Sequence, residues 1–460
     1  TDGTALTPPT KHEEPSLGFQ LSPDETRVLT WGKGGVARLW DSRTGEAVLR
    51  QPLKHDRPVQ GAQISADGSR ILSWTDDGTA RLWDSRTGEE VLKPPLRHER
   101  PLLGAQISGD GSRILTWTWD HSARVWDSRT AGALKPRLTH ERPVRGARFS
   151  ADGTRIITWG LDGTVQVWDS QTGSTLTPAL RHDAPVRGAQ FSPDEERILS
   201  WGLDGTARVW NSRTGEAALQ QPLKPARPVQ GAQFSPDGTR FLTWSDDGKA
   251  RLWDSVTGQA SLKQPLRHDR LIRGARFSAQ GDRILTWGED GTTRLWDSDT
   301  GEALALPLKH GRPVRGAQFD GPDGARILTW SDDGTARLWD TGTQRLKPGE
   351  SRRSAQHKLG ESATRAAGDG PAAPGPDDPM DDSAPRPTMP HTSVRGAQFS
   401  KDETRVLTWS DDGSARLWDT RTEQALTPPL THDRSARGVQ SSPDGTRILT
   451  WSDDGTARLL

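Results

Sequence analysis

The chain has 460 residues, with 61 Lys or Arg against 61 Asp or Glu, so its formal net charge is zero. This balance argues against binding nucleic acid over the whole surface, because such proteins are strongly basic. The absence of cysteine excludes disulfide scaffolds, thiolate nucleophiles and cysteine zinc sites. The 48 Gly and 33 Pro predict frequent chain reversals and no long helices.

The chain lacks the features of a membrane or secreted protein. No stretch approaches the roughly 18 consecutive apolar residues of a membrane span, and residues 1–15 contain no signal sequence. We therefore expect a soluble, cytoplasmic protein without membrane contact. The first residue is Thr1 rather than Met, so we expect the natural start to lie upstream.

A repeat dominates the sequence from the first unit to the last. Each copy contains a Trp-Asp or Trp-Asn pair, and these pairs are spaced by 42 or 43 residues, except for a gap of 79 before the last one. Their tryptophans are Trp40, Trp83, Trp126, Trp168, Trp210, Trp253, Trp296, Trp339 and Trp418. A tenth unit ends with Leu460 at the equivalent position.

Each unit reads as four strands. In the second unit, three runs rich in β-branched or aromatic residues are VQGAQIS, RILSW and TARLW, which are separated by SADGS and TDDG. The Asp-Gly pairs predict hairpin turns, because Gly adopts positive φ angles readily. A weaker fourth strand is predicted in EEVLKPPL. Four strands repeated ten times predict an all-β radial or solenoidal array.

These units resemble the WD-repeat β-propeller family. The similarity rests on a His before the first strand, then FSPDG, then DDGTARLWD, and it extends over almost the whole chain. It implies a propeller of ten four-stranded antiparallel blades over residues 1–460. It says little about function, because one fold of this kind serves many roles.

The resemblance also implies a structural hydrogen-bond tetrad in each blade, made of His, Ser or Thr, Asp and Trp. Seven units contain all four residues: His55, Ser73, Asp77, Trp83; His98, Thr116, Asp120, Trp126; His140, Thr158, Asp162, Trp168; His182, Ser200, Asp204, Trp210; His268, Thr286, Asp290, Trp296; His310, Thr329, Asp333, Trp339; His391, Thr408, Asp412, Trp418. In units one, six and ten, Gly34, Pro225 and Leu460 replace the Asp, the His and the Trp. We expect these three blades to be softer.

The chain departs from the family in the second strand, where a further Trp follows the tetrad hydroxyl in all ten units, as in Trp31, Trp74 and Trp117. These indoles are interpreted as fillers between adjacent blades, because alternation along the strand turns them away from the hydroxyl. The alternative is an exposed aromatic binding ring.

The two ends of the chain are complementary. Residues 5–9, ALTPP, repeat residues 425–429, so the chain begins with a fourth strand and ends with a third. The N-terminal strand is therefore predicted to complete the last blade. One ring of ten blades is the simplest arrangement, and a piece of a longer two-ring array is the alternative. Residues 349–390, rich in Pro, Gly, Ala and Asp, are predicted to be a disordered insertion between units eight and nine.

No motif predicts catalysis or metal binding. His55, Ser73 and Asp77 have the residue types of a hydrolase triad, but the set recurs along the chain without a GxSxG elbow. Only His121 and His357 lie outside the repeat position, and neither has neighbouring ligands. The TGE segments only faintly resemble the docking motif of quinoprotein propellers. We therefore expect neither an enzyme nor a cofactor.

The position before the turn Asp, which points outward in the WD-repeat family, suggests a binding surface. Three consecutive units carry Trp119, Leu161 and Leu203 there, whereas the others are mostly acidic. A second outward position supplies Leu103, Arg145 and Arg187. Apolar residues flanked by Arg suit a protein or peptide partner. The alternative is drift in a tolerant turn.

The sequence thus predicts a non-enzymatic scaffold or sensor that binds other proteins. A carbohydrate-binding propeller and, less favoured, a quinoprotein-type enzyme are the alternatives. Similar repeats resemble arrays that bacterial signalling proteins carry beside other domains, which implies a possible fusion to a signalling domain outside this chain.

Overall fold

The computed structural model describes most of the repeat units. The described residues are 10–11, 16–24, 26–41, 46–133, 136–219, 221–223, 227–319, 324, 326–341, 389–391, 393–400, 402–422, 424–441, 448–454 and 456–459. The predicted insertion at 349–390 lies almost entirely outside them, as do Pro225, His357 and Leu460.

Within these residues the chain forms ten antiparallel sheets, here called blades 1 to 10 in the order of the units. The first N-terminal strand is β1 (Thr10–Lys11). Blades 1 to 3 contain β2 (Ser16–Leu21), β3 (Arg27–Gly32), β4 (Val36–Asp41), β5 (Leu53–Lys54); β6 (Val59–Ile64), β7 (Arg70–Thr75), β8 (Thr79–Asp84), β9 (Leu96–Arg97); β10 (Leu102–Ile107), β11 (Arg113–Thr118), β12 (Ser122–Asp127), β13 (Leu138–Thr139).

The middle blades repeat this order. Blades 4 to 7 contain β14 (Val144–Phe149), β15 (Arg155–Gly160), β16 (Thr164–Asp169), β17 (Leu180–Arg181); β18 (Val186–Phe191), β19 (Arg197–Gly202), β20 (Ala207–Asn211); β21 (Val229–Phe234), β22 (Arg240–Ser245), β23 (Lys249–Asp254), β24 (Leu266–Arg267); β25 (Ile272–Phe277), β26 (Arg283–Gly288), β27 (Thr292–Asp297), β28 (Leu308–Lys309).

The last three blades follow the same pattern. They contain β29 (Val314–Phe319), β30 (Arg326–Ser331), β31 (Thr335–Asp340), β32 (Met389–Pro390); β33 (Val394–Phe399), β34 (Arg405–Ser410), β35 (Ser414–Asp419), β36 (Leu430–Thr431); β37 (Ala436–Ser441), β38 (Ile448–Ser452), β39 (Thr456–Leu459). No described helix is long and apolar enough to cross a membrane.

The predicted hairpin turns are confirmed. Gly68 and Gly78 follow the turn aspartates of blade 2 with φ angles of 71° and 83°. A Cβ atom at Gly78 would lie 2.6 Å from the carbonyl oxygen of His98, so the close approach of the next connection also requires glycine there.

The fourth strand is much shorter than predicted. In blade 2 only Leu96–Arg97 pairs as a strand, and Glu90 adds a single bridge to Trp83. In blade 5 the bridge from Leu223 to Ala207 marks the same pairing, and residues 224–226 lie outside the described part. The prolines of this segment explain the difference, because proline cannot donate to a strand ladder.

The two ends of the chain meet. Strand β1 pairs with β39 through Thr10–Ala457 and Lys11–Thr456, so the N-terminal strand completes blade 10 as predicted. Apolar clusters lie between all successive blades, and one joins Val28 and Trp40 of blade 1 to Leu449 and Trp451 of blade 10. The contact between the first and last blades favours one ring of ten blades, and that arrangement stays a prediction. The domain limits at residues 1 and 460 stay predictions.

The second-strand tryptophans pack inside this ring. Trp74 is half-buried and contacts the apolar cluster between blades 2 and 3, as expected of a filler. Its ring also lies over Gly61 of its own first strand, where an added Cβ atom would be 2.1 Å from Cζ2. The same Gly and Trp pair recurs in every blade. A large indole in the second strand therefore requires a glycine in the first.

Polar contacts also join neighbouring blades. On one side of the ring, the Arg that begins a second strand reaches the Ser after the Trp-Asp pair of the next blade, with Arg113 Nη1 2.7 Å from Ser170 Oγ. Arg155 makes the same contact with Ser212 at 2.7 Å. These links, repeated between blades, fix the rotation of each blade relative to the next.

The packing of indole on glycine generates a stability prediction. The Gly274→Ala change should destabilise the fold by about 1–3 kcal/mol, because its Cβ atom would lie 2.2 Å from Trp287 Cζ2. Urea denaturation measures the effect. In a Trp287→Val background the same change should cost much less, and Gly109→Ala, whose nearest atom is 3.9 Å away, is the matched control. Equal costs in both backgrounds would contradict the steric explanation.

Candidate functional site

The third-strand tryptophans donate hydrogen bonds to buried hydroxyl groups. In blades 1 to 9 the indole N–H lies 2.7–2.9 Å from the Ser or Thr oxygen of the second strand. In the eight blades with a described repeat histidine, His Nε2 lies 2.6–2.8 Å from the same oxygen. In a neutral histidine whose Nδ1–H donates to the Asp carboxylate, Nε2 has no proton and accepts the hydrogen bond of the hydroxyl.

Four blades contain the whole predicted network. In blade 4, His140 Nδ1 lies 2.9 Å from an Asp162 carboxylate oxygen. The equivalent distances are 3.0 Å for His182–Asp204, 3.0 Å for His268–Asp290 and 3.1 Å for His310–Asp333. A Thr after the aspartate joins each of these networks, as Thr164 Oγ1 does 3.0 Å from His140 Nδ1. This fifth position was not predicted, although Thr or Ser recurs there in most units.

Blades 2 and 3 depart from the predicted tetrad. His98 Nδ1 is 3.6 Å from Asp120, too far for a hydrogen bond, and His55 Nδ1 is buried without a hydrogen-bond partner. In both blades a threonine follows the second-strand tryptophan, and its hydroxyl, on Thr75 or Thr118, binds the aspartate instead. Blades 4, 5 and 7 have glycine there, so no side chain competes with the histidine.

Blades 9 and 10 use a relay. His391 Nδ1 lies 2.8 Å from Ser414 Oγ, which donates to Asp412 at 2.6 Å. His432 reaches Asp454 through Thr456 at 2.7 and 2.6 Å in the same way. The resemblance implied seven complete tetrads, and in four of them the histidine contacts the aspartate directly, whereas hydroxyl groups around the turn bind the aspartate in the other three.

The incomplete units keep part of the network. In blade 1, where Gly34 replaces the aspartate, Trp40 still donates to Thr30 at 2.7 Å. In blade 6, Arg251 lies 2.6 Å from Asp247, the aspartate whose histidine partner Pro225 replaces. The lower stability expected of these three blades stays a prediction.

The hydroxyl groups of the network are buried, and their hydrogen bonds are made within the blade. Ser73 is fully buried and its oxygen accepts a hydrogen bond from the indole N–H of Trp83, so it is not placed to attack a substrate. Burial lowers the pKa of His55, His98, His391 and His432 to about 4, with nearby arginines adding to the effect at all four. Burial opposes the low pKa of Asp162, but hydrogen bonds from His140 and Thr164 lower it to about 2. Neutral histidines and charged aspartates therefore coexist near pH 7.

The candidate binding residues occupy equivalent positions on three adjacent blades, and together they are called the blade 3–5 patch: Leu103, Trp119, Arg145, Leu161, Arg187 and Leu203. Trp119 is 49% exposed, Leu203 41% and Leu103 37%. Leu161 and Arg187 are half-buried, and Arg187 contacts Gln230 of blade 6. The patch is therefore most exposed at its blade 3 end.

The same two positions are paired in the other half of the ring. Within blades 7 to 10 the Arg of the first strand contacts the acidic residue before the turn aspartate, as in Arg273–Glu289 at 3.5 Å and Arg437–Asp453 at 2.6 Å. Arg315–Asp332 and Arg395–Asp411 are equivalent pairs. In blades 4 and 5, leucine replaces the acid, so the apolar patch coincides with a loss of charge pairing.

The turn of blade 3 has an unusual backbone. His121 has a φ of 69° at the position where most other units place a glycine with positive φ. Side chains adopt this conformation at a cost, so the turn that presents Trp119 is strained. No group of three or more His, Asp or Glu residues in the described ranges is placed to hold a metal ion.

Comparisons with known proteins agree with this architecture. Five segments match the family model described as WD domain, G-beta repeat: residues 48–84, 134–169, 174–211, 222–254 and 385–419. No curated protein sequence matches the chain. The chain is similar to the crystal structure of a computationally designed protein, Ika8, with 24% identity and a TM-score of 0.51 over 74% of this chain and 100% of that one. That similarity concerns the fold alone.

The buried histidines predict a loss of stability in acid. Their pKa values are lowered to about 4 in the folded state, so the unfolded state binds more protons between pH 6.5 and 4. Stability should be complete above pH 6.5 and decrease towards pH 4, by up to about 1.4 kcal/mol per pH unit for each histidine. Urea denaturation across this range tests it, and a flat profile would contradict it.

The contact of Thr118 with Asp120 predicts how a substitution should change the pKa of His98. In a Thr118→Gly variant, Asp120 loses its competing hydroxyl and can approach His98 Nδ1, so the pKa of His98 should rise from about 4. NMR titration with labelled histidine measures this, with the signal assigned by its loss in a His98→Gln variant. An unchanged pKa would show that Thr118 does not hold the aspartate away.

Proposed function

We propose that this chain, which belongs to the WD-repeat family, is a non-enzymatic scaffold or sensor whose protein partner binds the blade 3–5 patch. WD-repeat propellers commonly serve protein interaction and are generally non-catalytic. In the patch, Trp119, Leu161 and Leu203 occupy a position that is acidic in most other units, so a specific partner could be recognised there.

The exposed ring of Trp119 is the observation that carries the proposal. All twenty tryptophans lie in the described residues, and Trp119 is the only one with a largely exposed side chain. Leu103 of the same blade and Leu203 of blade 5 are also exposed. Exposed aromatic and aliphatic side chains flanked by Arg are typical of the residues that dominate binding energy at protein interfaces.

The strained turn supports the same surface. His121 retains a backbone conformation that glycine would adopt freely, next to the exposed indole. Ala131, Glu195 and Glu403 also have positive φ angles, so the strain at His121 supports this surface only through its position beside the exposed indole. A carbohydrate-binding propeller would need an exposed tryptophan in each blade. This alternative has no comparable support, because the second-strand tryptophans pack over glycines.

The patch predicts the effect of two substitutions. Trp119→Asp with Leu161→Asp should abolish capture of a partner by the immobilised protein, because both changes place charges in an apolar contact. The thermal melt should stay unchanged, since neither side chain belongs to the buried clusters.

The matched control is Asp76→Ala, at the exposed equivalent position of blade 2. It should leave capture unchanged. Capture that survives in the double variant, or that is lost equally in the control, would remove the patch as the binding surface.

A further inference from the structure

Two first strands of the ring have almost the same sequence but opposite electrostatic surroundings. Blade 4 carries VRGARF in Val144–Phe149, and blade 7 carries IRGARF in Ile272–Phe277. The fifth residue of this strand, here called the inner position, is Arg148 in blade 4 and Arg276 in blade 7. It is glutamine in the remaining eight blades, as in Gln106. Both of these inner arginines are exposed. The ring therefore contains an internal comparison between two copies of one arginine pair.

In blade 7 the outer arginine is neutralised. Arg273 lies 3.5 Å from Glu289 of its own turn and 3.3 Å from Asp332 of the next blade. The equivalents around blade 4 are Leu161 and Leu203, so both acids are missing. Arg145 and Arg148 form no ion pair among the described residues. Two positive charges thus lie on one strand without compensation.

A cavity of about 470 Å³ lies beside this strand. Its lining includes Arg145, Arg148, Gln63, Gln106 and the indole of Trp117, and it contains no carboxylate. The two glutamine Oε1 atoms already accept backbone N–H groups, from Ile107 at 3.0 Å and Phe149 at 3.2 Å. Their amide NH₂ groups remain as donors. The cavity is therefore lined by guanidinium and amide donors and contains no negatively charged acceptor.

A second cavity of about 560 Å³ shares Gln63, Gln106 and Arg148 with the first. It includes Glu195, but that carboxylate is 3.5 Å from Arg155 and accepts the backbone N–H of Ala151. The carboxylate is therefore committed to the contact between blades 4 and 5. The positive charge of Arg148 stays uncompensated from both sides.

We propose that the cavity beside β14 binds an oxyanion, either a carboxylate or a phosphoryl group, through Arg145 and Arg148. Guanidinium groups bind planar or tetrahedral oxyanions through paired hydrogen bonds, and the glutamine amides supply further neutral donors. The anion can be a free small molecule or an acidic side chain of a bound protein. Blade 7 has almost the same strand, but it should bind no anion there, since Glu289 and Asp332 already pair with Arg273.

Isothermal titration calorimetry of the whole chain with inorganic phosphate tests the site. Wild type should bind saturably at this site. Arg148→Gln, which introduces the residue that blades 2 and 3 have, should raise Kd at least tenfold, as should Leu161→Glu with Leu203→Asp, which copies the acids around blade 7. Arg276→Gln should leave Kd within twofold. A thermal melt confirms that each variant folds.

Absence of saturable phosphate binding would overturn the proposal, and so would equal weakening by Arg148→Gln and Arg276→Gln. A blocked Leu-Glu-Leu peptide identifies the source of the anion. If the peptide competes with phosphate, the site accepts an acidic side chain of a partner protein. If phosphate binds and the peptide does not, the site accepts a free anion. The titration needs no partner protein, so its failure leaves the proposed function to be judged by capture through Trp119 and Leu161.

Discussion

The hydrogen bond from the third-strand indole to a buried hydroxyl is the interaction on which the ring depends. It is present in blades 1 to 9, including blade 1, which lacks the aspartate, and blade 6, whose histidine is replaced. The same indole packs against the preceding blade, as Trp83 does against Leu39 and Leu53 of blade 1. One side chain therefore satisfies a polar group within its blade and buries apolar surface between blades.

This division explains why the turns can vary. The bond between the histidine and the aspartate is separate from the bond between the indole and the hydroxyl, and it is direct, relayed or absent in different blades. Because the core contact does not depend on the turn, residues at the turn are free to change. Blades 3 to 5 have lost acids there, which exposes Trp119 and leaves Arg145 without a counter-charge. Both proposed binding features arise from that freedom.

Much of the fold could be predicted from the sequence, since period, hairpin glycines and tryptophans are local signals. The fourth strand was overpredicted, as its prolines restrict pairing to Leu96–Arg97 in blade 2. The candidate site was predicted only in part. Exposure at Trp119 and Leu203 followed from register, but the half-burial of Leu161 depends on its neighbours. The competition of Thr118 with His98 was overlooked because a hydroxyl two residues from an aspartate has several possible partners.

The sequence by itself determined the repeat, the four-stranded units and the complementary ends, because these depend on local hydrogen bonding and on alternation along each strand. Only the tertiary structure decided which aspartates reach their histidines and which arginines keep a counter-charge. Those outcomes depend on distances between side chains of different strands and blades, such as Arg273 to Asp332 at 3.3 Å. Nearly identical units therefore acquire different chemistry from the neighbours that the ring places beside them.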